Sequence, residues 1–420
     1  MDKLVIEGGY PLKGEIKVSG SKNATLPILA ATLLTDDVCT IRNCPKLRDT
    51  MTMIKLLRSL GKTVDMGKDE IIISSKGDLN YIAEYKLVST MRGSFCVLGP
   101  LLAKLGKAKV SLPGGCVIGI RPVDLHIKGI KALGANIEIE GGYVIAKAKH
   151  LKGAHVYLGG GFGSSVLATA NLMMAAVLTN GETIIESAAC EPEIEDLANF
   201  LIAMGAKIKG KGTPQIIING VKKLHGADYK ISSDRIEAGT FIVMAAATKS
   251  NLVIRNANYS HLLALIDRME EAGVKFEKDY NVIKVKCAKT LKPTSVTTFP
   301  YPGFPTDLQA QFMALMALTP GVSVITDKVY PDRFIHIAEL NRMGANIRRE
   351  GSNAIVEGVK KLYGAPVMAS DLRASAALVI AGLAAQGKTE IHRIYHLERG
   401  YEELDEKLKF LGAKVYREKE

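Results

Sequence analysis

A short signature ending in glycine recurs along this chain and limits what it can fold into. Ser59-Leu60-Gly61, Ala132-Leu133-Gly134, Ala203-Met204-Gly205, Glu271-Ala272-Gly273, Arg342-Met343-Gly344 and Phe410-Leu411-Gly412 each close an amphipathic stretch. A short alternating run follows each, as at 135–137 and 206–208. The glycines lie 73, 71, 68, 71 and 68 residues apart. A fixed internal period decides the architecture before any single motif does. Six such units fill the 420 residues and leave no room for an unrelated domain.

The glycine has a physical task. The residue just past a helix end commonly takes a left-handed conformation, which costs glycine no Cβ clash. The chain then turns into a strand. Ahead of each amphipathic helix the pattern predicts another strand, over 38–43, 109–112, 183–186, 252–255, 322–325 and 389–393. Ahead of that strand lies a more apolar helix, for example over 239–248 or 373–385. A closing strand recurs at 216–218 and 354–356. Each unit therefore reads helix, strand, helix, strand, strand. The last lacks its closing strand, for only 413–416 and a charged tail follow Gly412. The missing piece matches residues 4–14. The expected domains are 22–231, and 1–21 plus 232–420, each of three units. Two crossings at one place predict a hinge, and a cleft between such domains is a usual ligand site. A continuous six-repeat solenoid is the competing architecture, but solenoids have shorter periods and need no exchanged terminus.

Composition narrows the partners. Hydrophobic residues make up 47% and charged ones 23%, which argues against disorder. The longest apolar stretches fall short of the ~18 residues a spanning helix needs. No apolar leader follows Met1, so a cytoplasmic protein with no membrane partner is expected. The net charge of +12 favours acidic partners. There is no Trp, and no basic tract has interleaved aromatics, so small anions fit better than nucleic acid. The six cysteines form no CxxC pair or zinc-like cluster, so no metal is expected. Cys96, in an apolar run, reads as a packed small hydrophobe.

Polar residues gather at the starts of the apolar helices: Ser21-Lys22-Asn23, Ser89-Thr90-Met91-Arg92, Gly163-Ser164-Ser165-Val166, Asp234-Arg235, Thr306-Asp307 and Asp371-Leu372-Arg373. Ser, Thr and Asp there can simply be N-caps. Lys22, Arg92, Arg235 and Arg373 need another reason, since a cation at the positive end of a helix dipole is mildly unfavourable. A bound anion supplies one. The segment 111–126 carries three glycines and two prolines, with Cys116, Arg121, Asp124 and His126. A glycine-rich connection can act as a lid, and a guanidinium near a thiol favours thiolate. No Gly-Lys-Ser/Thr follows, so this is not a phosphate-cradling P-loop. Arg399, at the start of the last helix, is a candidate anion clamp or an exposed partner of Glu402 or Glu403. Asp307 is an N-cap or a general base, and spacing alone leaves both open.

These residues resemble the enolpyruvyl transferase family along the whole chain, specifically the branch acting on a UDP-amino sugar. The resemblance rests on Ser21-Lys22-Asn23-Ala24, the 113–126 loop with Cys116, Glu191-Pro192-Glu193-Ile194, the 234–240 stretch from Asp234, Phe304-Pro305-Thr306-Asp307, the 369–373 stretch with Asp371 and Arg373, and Arg399-Gly400-Tyr401. It implies an α/β fold of two inside-out domains, each of three βαβαββ-type units. It implies transfer of enolpyruvate from phosphoenolpyruvate to the 3-hydroxyl of UDP-N-acetylglucosamine, with no cofactor, through a tetrahedral phospholactoyl intermediate. Cys116 matches the loop cysteine that donates a proton and reacts with fosfomycin. Lys22, Arg121 and Arg399 match cations that hold phosphoenolpyruvate. Asn23, Arg92, Asp307 and Val329 match nucleotide-sugar contacts, with Asp307 as base on the 3-hydroxyl. Arg121, Pro122, Val123, Asp124 and Leu125 match the stretch packing on uridine, and Asp371 and Arg373 line the cleft.

Two departures stand out. The 159–166 segment is about three residues longer than in better-known members, which shifts the expected nucleotide contacts onto Gly163, Ser164, Ser165 and Val166. Pro331-Asp332 precedes Arg333 where many members carry Glu, which weakens any claim for an acidic cleft residue there, while Arg333 remains. Two rival readings remain: the shikimate-pathway transferase, which predicts a cysteine-free loop, and a non-enzymatic basic repeat protein that binds nucleic acid. Oligomeric state is left open.

Overall fold

The computed structural model describes residues 2–67, 69–114, 123–288 and 290–420. Cys116, Arg121 and Pro122 therefore lie outside the described residues. The chain divides into two compact units. One holds the residues up to Ser19 and Ser233–Glu420; the other holds the described part of 20–232.

The described residues form six four-stranded sheets of one design. His155–Tyr157 lies parallel to Glu182–Glu186, which pairs antiparallel with Gln215–Asn219, and Lys207–Lys209 closes the far edge. The other five repeat this order. The leading strand is only two to four residues long in all six of these sheets, for example Ile82–Ala83 and Gly14–Lys17, too short to leave a period-2 signature. It supplies the first β of the βαβαββ unit that the helix-first reading did not see.

The N-terminus serves the C-terminal half. Asp2–Glu7 lies between Lys388–His392 and Lys414–Lys419, with Ile6 opposite Thr389 and Val415. Gly14–Lys17 runs parallel to Leu252–Arg255. The charged tail expected after 416 is instead strand as far as Lys419, because Asp2–Glu7 offers it a full edge of backbone partners.

All six signature glycines have positive φ: Gly61 +99°, Gly134 +91°, Gly205 +99°, Gly273 +103°, Gly344 +93° and Gly412 +86°. A Cβ at Gly412 would meet nothing within 4 Å. Gly412→Ala therefore probes the backbone conformation alone. We expect a loss of about 1 kcal/mol, read as a lower urea midpoint with unchanged slope. A neutral or stabilising result would remove the left-handed explanation.

The apolar helices are interior. Arg235–Ala247, Gln309–Met316 and Leu372–Ala384 are buried almost all round and pack on one another in the first unit. Lys22–Ala31, Leu98–Leu105 and Val166–Ala176 form the corresponding centre of the second. A helix that is apolar on every side belongs inside, so the amphipathic helices and sheets lie around it. Each unit has its own core. Among the described residues no helix is long and apolar enough to cross a membrane.

Candidate active site

Several of the candidate residues sit at the N-terminal ends of the interior helices. Four of the polar starts are true caps. The Ser21 and Ser165 hydroxyls accept from the Ala24 and Ala168 N–H groups. Asp234 accepts from Ile236 and Glu237, and Asp371 from Arg373 and Ala374. The other two differ from the expectation. Arg92–Val97 and Thr306–Leu308 are 3-10 turns without a side-chain cap. Asp307 is thus not an N-cap, and its carboxylate is available for other partners.

Those partners are two arginines. Arg333 Nη1 donates to Asp307 Oδ1 at 2.8 Å, and Arg373 Nη2 donates to Oδ2 at 2.9 Å. The guanidinium side chains are 5% and 2% exposed, the carboxylate 25%. Burial pushes the Asp307 carboxyl up, but the charges of Arg373 and Arg333 overcome this and hold it well below the usual carboxylate range. Arg333 also donates to the Thr306 hydroxyl at 3.2 Å. That hydroxyl donates to Asp327 Oδ2 at 2.7 Å. Asp327 Oδ1 in turn accepts from the Val329 and Tyr330 N–H groups at 3.0 and 2.7 Å, which shapes the turn carrying Val329. Asp332 faces away, its carboxylate 2.8 Å from Arg349.

Sequence reasoning missed Thr306's and Asp327's roles here. Asp327 is fully buried at the end of strand Val322–Asp327, a position that spacing does not distinguish from any strand end. It also missed His336, buried beside the charges of Asp371 and Arg333; burial lowers its pKa to about 4. Asp371 Oδ2 and both His336 ring nitrogens have no hydrogen-bond partner among the described residues.

Arg399 is not at the start of the last helix. It ends the 3-10 turn Ile394–Arg399, half-buried, and the helix Leu404–Phe410 begins later. Glu403 in the left-handed region separates the two.

In the second unit Lys22 opens its helix, and its ammonium lies 2.9 Å from Asp49 Oδ2. Asp49, buried in the first turn of Arg48–Ser59, was not singled out in the sequence because it reads there as an ordinary complement to the helix dipole. Asn23 and Arg92 are half-buried. Val123 precedes the helix Asp124–Ala132, with Asp124 exposed in its first turn and Leu125 half-buried. His126 ends the 111–126 segment singled out in the sequence. It is core, 3% exposed, its Nδ1 3.0 Å from Asn171 Nδ2 and its ring edge-on to Phe95 at 5.0 Å. Burial, reinforced by the charge of Arg92, lowers its pKa to about 3, so it stays neutral. Cys96 is buried as expected, its thiol pushed up to about 12 by burial. In the 159–166 segment, Gly160 and Gly163 exchange backbone hydrogen bonds at 3.0 and 3.1 Å. Ser164 follows, and Ser165 and Val166 begin the helix.

The arrangement in the first unit offers a carboxylate and two guanidiniums at one place, which suits a hydroxyl acceptor bearing phosphates. Comparison with known proteins agrees with this chemistry. A family profile described as EPSP synthase (3-phosphoshikimate 1-carboxyvinyltransferase) matches residues 6–408. A protein of Lawsonia intracellularis named UDP-N-acetylglucosamine 1-carboxyvinyltransferase is 56% identical over 420 residues, covering 100% of both chains. A protein of Geotalea uraniireducens with the same name is 53% identical, again covering 100% of both. Among solved structures, the enolpyruvyl transferase NikO of Streptomyces tendae is similar with a TM-score of 0.89 at 23% identity, covering 99% of this chain and 98% of that one. EPSP synthase of Acinetobacter baumannii aligns over the full length of both chains with a TM-score of 0.76 at 19% identity. These two structures bear on the fold alone. Matched over residues 6–408 by the profile and end to end by relatives at more than half identity, the chain belongs to the enolpyruvyl transferase family, in the branch whose members are named UDP-N-acetylglucosamine 1-carboxyvinyltransferase.

Proposed function

We infer that this chain transfers enolpyruvate from phosphoenolpyruvate to the 3-hydroxyl of UDP-N-acetylglucosamine and releases phosphate, the opening step of peptidoglycan precursor synthesis. The observation that carries the reading is the full-length identity of 56% and 53% to proteins of that name. The enzyme works in the cytoplasm on these two small molecules, without metal or cofactor, and its product feeds wall growth, cell shape and division.

The division of labour follows from charge and position. Lys22, Arg121 and Arg399 hold phosphoenolpyruvate, whose several negative charges need several cations. Asn23, Arg92, Val329 and the 163–166 segment contact the nucleotide sugar, and 121–125 packs on its uridine part. Asp371 fixes the helix that presents Arg373, through the Arg373 N–H at 2.7 Å. Cys116 donates the proton to the enol methylene, and Asp307 takes one from the 3-hydroxyl. Asp307 is a weak base while both arginines face it. An anionic substrate that draws one arginine to itself raises the carboxyl and readies it for that proton.

The test is phosphate release with phosphoenolpyruvate plus UDP-N-acetylglucosamine, beside phosphoenolpyruvate plus shikimate 3-phosphate. We expect turnover with the first pair alone. UDP-N-acetylglucosamine should raise the melting temperature, and phosphoenolpyruvate should raise it further. Turnover only with shikimate 3-phosphate would transfer the chain to the other branch. Silence with both, together with nucleic-acid binding that falls steeply with salt, would favour the non-enzymatic reading.

A further inference from the structure

Beneath the Asp307 clamp lies a hydrogen-bonded hub centred on Tyr401, whose side chain is 3% exposed. Its phenol oxygen is 2.9 Å from Thr240 Oγ1, 3.2 Å from Gln311 Nε2 and 3.2 Å from Arg373 Nη1. The direction of each bond can be worked out. The Thr240 hydroxyl donates to the Ile236 carbonyl at 2.7 Å, so its one proton is committed. Thr240 can only accept from Tyr401, and the phenol proton points at Thr240. Both phenol lone pairs are then open to the two donors, Arg373 and Gln311. Gln311 Nε2 also donates to the Asp307 carbonyl at 2.9 Å. One hydroxyl thus steadies the side chain of Arg373 and, through Gln311, the backbone of Asp307. The Arg373 guanidinium also lies 5.5 Å over the Tyr401 ring.

We propose that Tyr401 is a positioning residue for the reaction: its hydroxyl, oriented by Thr240, fixes Arg373 against Asp307, so that base and cation meet the nucleotide sugar in one geometry. This rests on the transferase reading above and adds to it a residue that touches neither substrate. The ring alone would fill the same space and stack on the same guanidinium, so the hydroxyl is the part that acts.

Tyr401→Phe removes only that oxygen. With wild-type protein active, kcat/KM for UDP-N-acetylglucosamine should fall about tenfold or more, as for a lost hydrogen bond to a charged group. Cooperative urea unfolding should be retained. In an Arg373→Ala background the same change should cost no more than about twofold, because its target is already gone. Thr240→Val, which deprives the phenol proton of its acceptor, should give a smaller loss with the same dependence on Arg373. A Tyr401→Phe enzyme within about twofold of wild type would overturn the proposal, as would equal losses with and without Arg373, the mark of a merely structural role. If Tyr401→Phe does not fold, the Thr240→Val pair decides by the same comparison. An inactive wild type would defeat the transferase reading and this proposal together, whereas an active wild type matched by Tyr401→Phe would defeat this proposal alone.

Discussion

Replacing Asp307 with alanine is expected to lower turnover at least about a thousandfold and to cost roughly 3 kcal/mol of stability. The catalytic loss follows if this carboxylate is the base on the acceptor hydroxyl. The stability loss has a separate origin. Arg333 and Arg373 are both almost fully buried and both hold Asp307. Removing it leaves two buried cations facing one gap. Breaking a buried pair usually costs about 3–5 kcal/mol. The lower end applies here, because the charge of Asp371 also reaches Arg333 and that of Asp234 reaches Arg373. The pH dependence has a definite sign. The folded carboxyl is held below its ordinary value, so its contribution is complete above about pH 4 and fades as the pH falls further. Wild type and variant should therefore differ fully at neutral pH and converge in acid. Urea titrations at several pH values, beside phosphate-release rates, measure both effects. Turnover within tenfold of wild type would end the assignment of Asp307 as the base.

Replacing Cys116 with serine should abolish most turnover, by about a hundredfold to ten-thousandfold, with the fold intact. A serine hydroxyl is far too weak an acid to do what the thiol is assigned to do. Cys116→Asp supplies a different acid and should stay active while escaping fosfomycin and other thiol-directed inactivators. Near-normal rates in the serine variant would remove the proton-donor role. Background labelling should be low once the half-buried Cys44 is replaced by serine. Burial pushes up the thiols of Cys39, Cys96, Cys190 and Cys287, which makes them poor nucleophiles. One equivalent of a thiol reagent should therefore track the loss of activity.

Local chemistry made much of the architecture legible. A helix stop followed by a strand needs a residue at positive φ, and six glycines at a steady interval announce six copies of one unit. The strand Leu252–Arg255 matches its expected span residue for residue, because its alternation is set by its own side chains. The motif Phe304-Pro305-Thr306-Asp307 likewise singles out one carboxylate among prolines, although its spacing leaves cap and base both open. What the sequence could not display is who meets whom. Asp307 and Arg373 are 66 residues apart, and Tyr401 lies 161 from Thr240. His126, which the sequence places beside the polar residues of the 111–126 segment, is a neutral core residue, because Asn171 and Phe95 close around it. Arg399 sits at the end of one turn and not at the start of the next helix, since Glu403 interrupts the chain between them. Spacing and residue type report on bonds along the chain, whereas the charge state of a carboxylate or imidazole depends on desolvation and on partners brought in from distant segments, and only packing in three dimensions supplies those.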